Sequence, residues 1–120
     1  MEQSPLSAAF DTLDWQPHPT LAGIEIKLLQ NKADFSPKDV MLARVAPSGE
    51  IPWHVHPNDS EIAYVVQGTG ILLSAENETH ESFSEMPMSL GNAVVVPPGV
   101  WHCVKNVGNQ DLLLFASHTR

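Results

Sequence analysis

Turn-forming residues interrupt this chain too often for long helices. Ten prolines and seven glycines are spread over 120 residues. Proline lacks the N–H that a helix interior needs and clashes with the preceding turn. No long stretch repeats its apolar residues at a spacing of 3.6, whereas several short runs alternate or are continuously apolar. Residues 24–30, 40–46, 52–56, 61–67, 70–75, 93–96, 101–107 and 112–117 are therefore predicted as strands. Gly68-Thr69-Gly70 and Gly108-Asn109-Gln110-Asp111 read as hairpin turns, and the polar stretch from Glu76 to Glu81 as a solvated hairpin tip. Between Phe83 and Leu90 a short strand or loop is expected. A chain of this length buries roughly two thirds of its unfolded surface, enough for one core. No linker or repeat divides it, so residues 24–120 form one domain in this reading. Residues 1–23, with Pro5, Pro17 and Pro19, form a less patterned N-terminal arm. Three roles are open to that arm: wrapping the domain, pairing with a partner, or staying partly loose.

Four polar residues stand beside the turns of this framework. Positions two apart on a strand share a face, so His54 and His56 point the same way if their segment is extended. Pro57-Asn58-Asp59-Ser60 then redirects the chain, and Glu61 opens the next strand, where it can face back toward both histidines. His102 enters its strand just after the Pro97-Pro98-Gly99 turn. Three imidazoles and one carboxylate make a donor set for a borderline divalent transition metal, with iron, manganese, nickel and zinc as candidates. Four protein donors leave room for water or substrate only at a five- or six-coordinate metal. By parity Val100 and Val104 share the face of His102, and Ala63 and Val65 share that of Glu61, so the surroundings of the site are apolar. Trp53, Trp101 and Cys103 each adjoin a candidate ligand and face the opposite way. Cys103 is expected as a small buried apolar group. His18, His80 and His118 fall outside these segments and are read as surface histidines without a direct role.

The two segments resemble the two motifs of the cupin superfamily. The first is similar in Gly49, His54, His56, Glu61 and Gly68; the second matches in Gly91, Pro97, Gly99, His102 and Asn106. One departure is the spacing from Gly49 to His54, which is a residue shorter than usual. The resemblance spans about residues 40 to 117. It implies a small antiparallel jelly-roll β-barrel of six to eight strands, a cupin-like double-stranded β-helix, with a metal inside. It also implies that Glu61 is a metal ligand. The residues alone leave a second role open, in which Glu61 is a catalytic acid or base beside a three-histidine metal. Asn106 is read as structural.

Fourteen acidic residues against six basic ones give a net charge of −8. Nucleic-acid binding needs clustered Lys and Arg, and none are clustered here; an anionic membrane surface is disfavoured for the same reason. No apolar run is long enough for a membrane-spanning helix. The Met1-Glu-Gln-Ser-Pro5 start lacks the basic and apolar regions of a secretory leader. One cysteine cannot form an internal disulfide, and a cytoplasmic protein is expected. The Asn77-Glu78-Thr79 sequon carries no meaning without secretion. Ile62, Tyr64 and Val66 make the outer face of their strand apolar, so that face needs a cover. The resemblance favours a homodimer packed sheet on sheet. Its implied functions span metal-dependent enzymes, isomerases, lyases and oxygenases among them, and non-catalytic binders. The leading expectation is an enzyme acting on a small carboxylate, keto acid or sugar derivative. The alternative is a module that binds or senses such a molecule without turnover.

Overall fold

Short runs of alternating residues become short strands that face each other in two layers. The computed structural model describes residues 10–30 and 39–119, so residues 1–9 of the expected arm lie outside the described residues. A 3-10 turn at Phe10–Thr12 is the only helical element among the described residues. The strands are β1 (Gln16–Pro17), β2 (Glu25–Gln30), β3 (Asp39–Val45), β4 (Glu50–His54), β5 (Ser60–Gln67), β6 (Thr69–Ala75), β7 (Ser84–Ser89), β8 (Ala93–Val96), β9 (Trp101–Asn106) and β10 (Leu112–Thr119). They form a larger sheet in the order β1-β2-β3-β10-β5-β8 and a smaller one in the order β4-β9-β6-β7. Every pairing is antiparallel.

The period of two along each strand builds the core. From the larger sheet, Met41, Ala43, Val45, Ala63, Val65, Leu112, Leu114 and Ala116 point inward and are buried. Ile51, Leu72, Met88 and Val104 meet them from the smaller sheet in one apolar cluster. The jelly-roll class expected from the sequence is therefore present. Its two sheets face one another without hydrogen-bonded closure into a single barrel.

The turns do different work from that expected. Glu76–Glu81 does join a true hairpin, because β6 and β7 pair. Gly68 does not: β5 and β6 lie in different sheets, and this residue marks the corner where the chain changes layer. Its φ of +92° and the 2.8 Å separation of an added Cβ from the Asp111 carbonyl oxygen leave room only for glycine. The Gly108–Asp111 turn is likewise a corner between layers, from β9 to β10. Asn106 braces it: its amide donates to the carbonyls of Val45 and Gln110, both at 2.9 Å, and its oxygen accepts the Gly108 N–H. That satisfies a buried polar side chain and gives Asn106 the structural role predicted for it.

On the outside of the larger sheet, Ile62, Tyr64 and Val66 are 43%, 44% and 39% exposed, with Val95 and Phe115 beside them. Parity had placed the first three there. The described part of the N-terminal segment lies against this sheet. Phe10 meets Phe115 edge-on at 6.1 Å, and the Trp15 ring sits under Arg44 at 4.2 Å and Lys27 at 4.8 Å. No helix among the described residues is long and apolar enough to cross a membrane.

Candidate metal centre

The pairing of β4 with β9 sets His54 directly opposite His102, with ring centroids 4.0 Å apart. β4 ends at His54, so His56 lies past its end rather than inside a longer strand as expected; the register also slips between Ile51 and His54. His56 is fixed instead by its carbonyl, which accepts the Gly99 N–H at 2.9 Å. That one bond joins the two turn regions singled out from the sequence. Glu61 comes from β5 in the opposite sheet. The four side chains converge, with one donor atom from each lying within 4.8 Å of all the others.

Hydrogen bonds behind the rings decide which atoms face inward. The Nδ1 of His54 donates to the Pro52 carbonyl at 2.8 Å, and that of His102 to the Val100 carbonyl at 3.0 Å. A carbonyl only accepts, so Nδ1 carries the proton and a neutral ring turns its Nε2 lone pair to the centre. Burial first, and then the neighbouring His102, push the pKa of His54 down to about 4, so this ring is neutral at pH 7. Glu61 Oε1 lies 3.1 Å from the Nε2 of His102 and 3.2 Å from that of His56. Burial alone would raise the pKa of Glu61. The contacts with His102, His118 and His56 outweigh it and hold the carboxyl well below the usual range. Where Nε2 carries a proton these contacts are hydrogen bonds to the carboxylate, and a divalent cation would take the place of such protons among the same atoms. Three imidazole nitrogens with one carboxylate are the donor types that fit a divalent transition metal.

The cluster opens into a cavity of about 220 Å³. Leu21, Ile24, Met41, Ala43, Ile51, Val104, Leu114 and Ala116 make most of its wall aliphatic. An apolar pocket with a few convergent polar groups is the usual form of a small-molecule site.

Two residues that the sequence reading set aside also line this cavity: His18 and His118. His118 is the register partner of Glu61 across β10 and β5. Its Nδ1 lies 2.7 Å from Asp39 Oδ1, and its Nε2 lies 3.4 Å from Glu61 Oε1 without hydrogen-bond geometry. Burial pulls the pKa of His118 down, but Asp39 and Glu61 more than reverse this and raise it to about 10. A signal for His118 was present, since the inward alternation of Leu112, Leu114 and Ala116 continues onto it. His18 gave none, lying between prolines in the unpatterned segment. His80 stays away from the cavity and stacks on Trp53 at 4.3 Å with the rings nearly parallel. Trp53 thus points away from the centre, as parity required. So does Cys103, fully buried with its Sγ 3.9 Å from Glu50 Oε2. Burial and then Glu50 push its thiol up to about 11.

A family model described as Cupin domain matches residues 41–118. An uncharacterized protein of Bacillus subtilis, YrkC, is 30% identical over 86% of this chain and 58% of its own length. A germin-like protein of Morus alba is 32% identical over 65% of this chain and 37% of its own. The chain thus spans less than two thirds of either relative. Among solved structures, a predicted oxalate decarboxylase from Thermotoga maritima superposes with a TM-score of 0.79 at 18% identity, covering 95% of this chain and 98% of that one. KdgF from a Halomonas species gives 0.69 at 23% identity, covering 92% and 91%. At such identities these two likenesses speak for the fold alone.

Proposed function

The chain belongs to the cupin family, and from that premise we propose that it holds one divalent transition metal at His54, His56, Glu61 and His102 and uses it on a small oxygen-rich metabolite. The observation that carries the reading is the convergence of three ring nitrogens and a carboxylate, with two of the rings locked by backbone carbonyls so that their lone pairs meet. Iron, manganese, nickel and zinc all suit such donors. A bound divalent metal supplies Lewis acidity toward a substrate oxygen. The chain supplies the rest. The aliphatic wall excludes water from around the bound molecule, and the cavity of about 220 Å³ limits it to a small carboxylate, keto acid or sugar derivative. Glu61 is held anionic and in contact with two of the imidazoles, which favours a ligand over a proton-transferring group. A carboxylate held this far below its ordinary range is a weak base.

Metal analysis of protein purified without an affinity tag tests the centre; about one metal per chain is expected, and none would sink the proposal. Turnover is tested by supplying keto acids, dicarboxylates and unsaturated uronates to protein loaded with each metal. Tight binding of one of them without conversion would favour the non-catalytic alternative. A Glu61→Gln variant separates the two roles of the carboxylate: loss of metal marks a ligand, whereas retained metal with lost turnover marks proton transfer.

The apolar outer face at Ile62, Tyr64, Val66, Val95 and Phe115 supports a homodimer as the working assembly. A stable pairing buries on the order of 1,200 Å² or more. Sedimentation of a single species at monomer mass at micromolar concentration would refute it. Placement in the cytoplasm belongs to the same proposal, resting on the absence of disulfide chemistry with one buried, free cysteine.

A further inference from the structure

Five of the six histidines border one cavity, and His18 reaches it from outside both metal-binding segments. Its position is built. Pro17 and Pro19 flank it and restrict the backbone. Its own N–H donates to the Ile24 carbonyl at 2.8 Å. Its Nδ1 accepts the backbone N–H groups of Thr20 and Leu21, each at 3.1 Å. A nitrogen that accepts two N–H donors carries no proton, so in the neutral ring the proton sits on Nε2. Burial first, and then His118, make the ring less basic than a free histidine, which keeps it neutral at pH 7. The ring lines the cavity, and Nε2–H is the polar atom it has left to offer.

We propose that His18 anchors the ligand: a small dicarboxylate or keto acid held at one end by the His54–His56–Glu61–His102 cluster accepts the His18 Nε2–H with its far oxygen. The inference rests on the metal reading above and extends it to the class of molecule taken. Apart from Thr20 and His118, the remaining wall is largely aliphatic, so a molecule with a polar group at only one end leaves His18 unpaired, and a molecule polar at both ends does not. His18 is only partly buried, so its Nε2–H gains from an acceptor that the ligand brings to it, which turns His18 into a selector for the second oxygen-bearing end.

The test compares malonate with acetate on zinc-loaded protein by calorimetric titration, in the unaltered chain and in His18→Asn. The Asn side-chain oxygen can stand where Nδ1 stands and accept the same two backbone N–H groups. It keeps the loop and removes the donor that reaches into the cavity. The unaltered protein should prefer malonate over acetate by about tenfold to a hundredfold, the range for one hydrogen bond to a charged group. In His18→Asn that preference should fall to within about twofold, with zinc content and melting temperature unchanged. A preference retained in the variant overturns the proposal, and so does its absence from the unaltered chain. Long-range ¹H–¹⁵N spectra of metal-free protein give an independent reading: His18 should show the Nε2–H tautomer, and an Nδ1–H pattern overturns the assignment. Failure to take up zinc would instead sink the metal reading. The metal-free spectra then decide on His18 alone, since malonate should still move its resonances in the unaltered chain; unmoved resonances overturn the anchor.

Discussion

His54 and His102 on one wall of the cavity, and His18 and His118 on another, are the same side chain put to opposite uses. What differs is the group that occupies Nδ1. Backbone carbonyls hold the first two at Nδ1, so their Nε2 atoms face the centre. Backbone N–H groups hold His18, so its Nε2 is a donor. A carboxylate, Asp39, holds His118 and keeps it protonated. In the proposed centre, the partner behind the ring is what separates the candidate donors His54 and His102 from His18 and His118.

The sharpest way to break this contrast is to remove rings from each wall. Changing both His54 and His56 to Ala should take bound metal from about one per chain to none, measured by elemental analysis. Changing His118 to Ala should leave the metal in place. If the two results are exchanged, the assignment of walls is wrong.

The next effect contrasts the two sides of a single strand. Cys103 follows His102 but faces away, and with its thiol raised from 9.0 to about 11 it should react with iodoacetamide at pH 8 roughly a hundredfold more slowly than a free cysteine. Reaction at the ordinary rate would mean that the outer side of β9 is open.

A smaller effect sets His118 against Glu61 in metal-free protein. The folded state binds the His118 proton more tightly than the unfolded one, about 10 against 6.5. Its stabilisation is therefore complete below pH 6.5 and is lost as the pH rises through about 10. Glu61 runs the other way: its folded pKa is depressed, so its contribution is present above about 4.5 and lost on acidification. Melting temperatures in chelator should trace a dome with these two limbs. Asp39→Asn should flatten the alkaline limb and cost about 1 kcal/mol at neutral pH. An alkaline limb unchanged in that variant would remove His118 as its cause.

The smallest effect is expected at Trp53, beside His54 in sequence but stacked on His80 away from the centre. Trp53→Ala should leave metal content unchanged and cost the stacking contribution of about 1 kcal/mol in urea denaturation.

Strand positions and the four converging side chains were legible because both depend on local rules. Alternation placed Ala63, Val65 and Val104 inside and Ile62, Tyr64 and Val66 outside. Turn residues marked where direction changes, but not which strands pair afterward. Gly68 and Gly108 therefore read as hairpins although both carry the chain from one sheet to the other. That choice is made by burial of the two inner faces against each other, a nonlocal term. His118 followed from parity on β10 had the strand been extended by two residues. His18 did not follow from any pattern. Its place depends on the Ile24 carbonyl and on the way the segment after it doubles back.

The four outermost strands of the two sheets are β1, β8, β4 and β7. Pro17 lies in the first, Pro97 directly follows the second, and Pro52 and Pro87 lie in the third and fourth. Pro17, Pro52 and Pro87 each remove an N–H from a border strand, and Pro97 ends the remaining one, where another chain would otherwise add a strand. Residues that looked at first like punctuation between strands thus also act as stops against polymerisation. Open-ended growth along the ladders, the route to fibres, is hindered at these positions. In the proposed homodimer another copy would meet a broad face rather than a rim, and contact between two like faces would close after a single pairing.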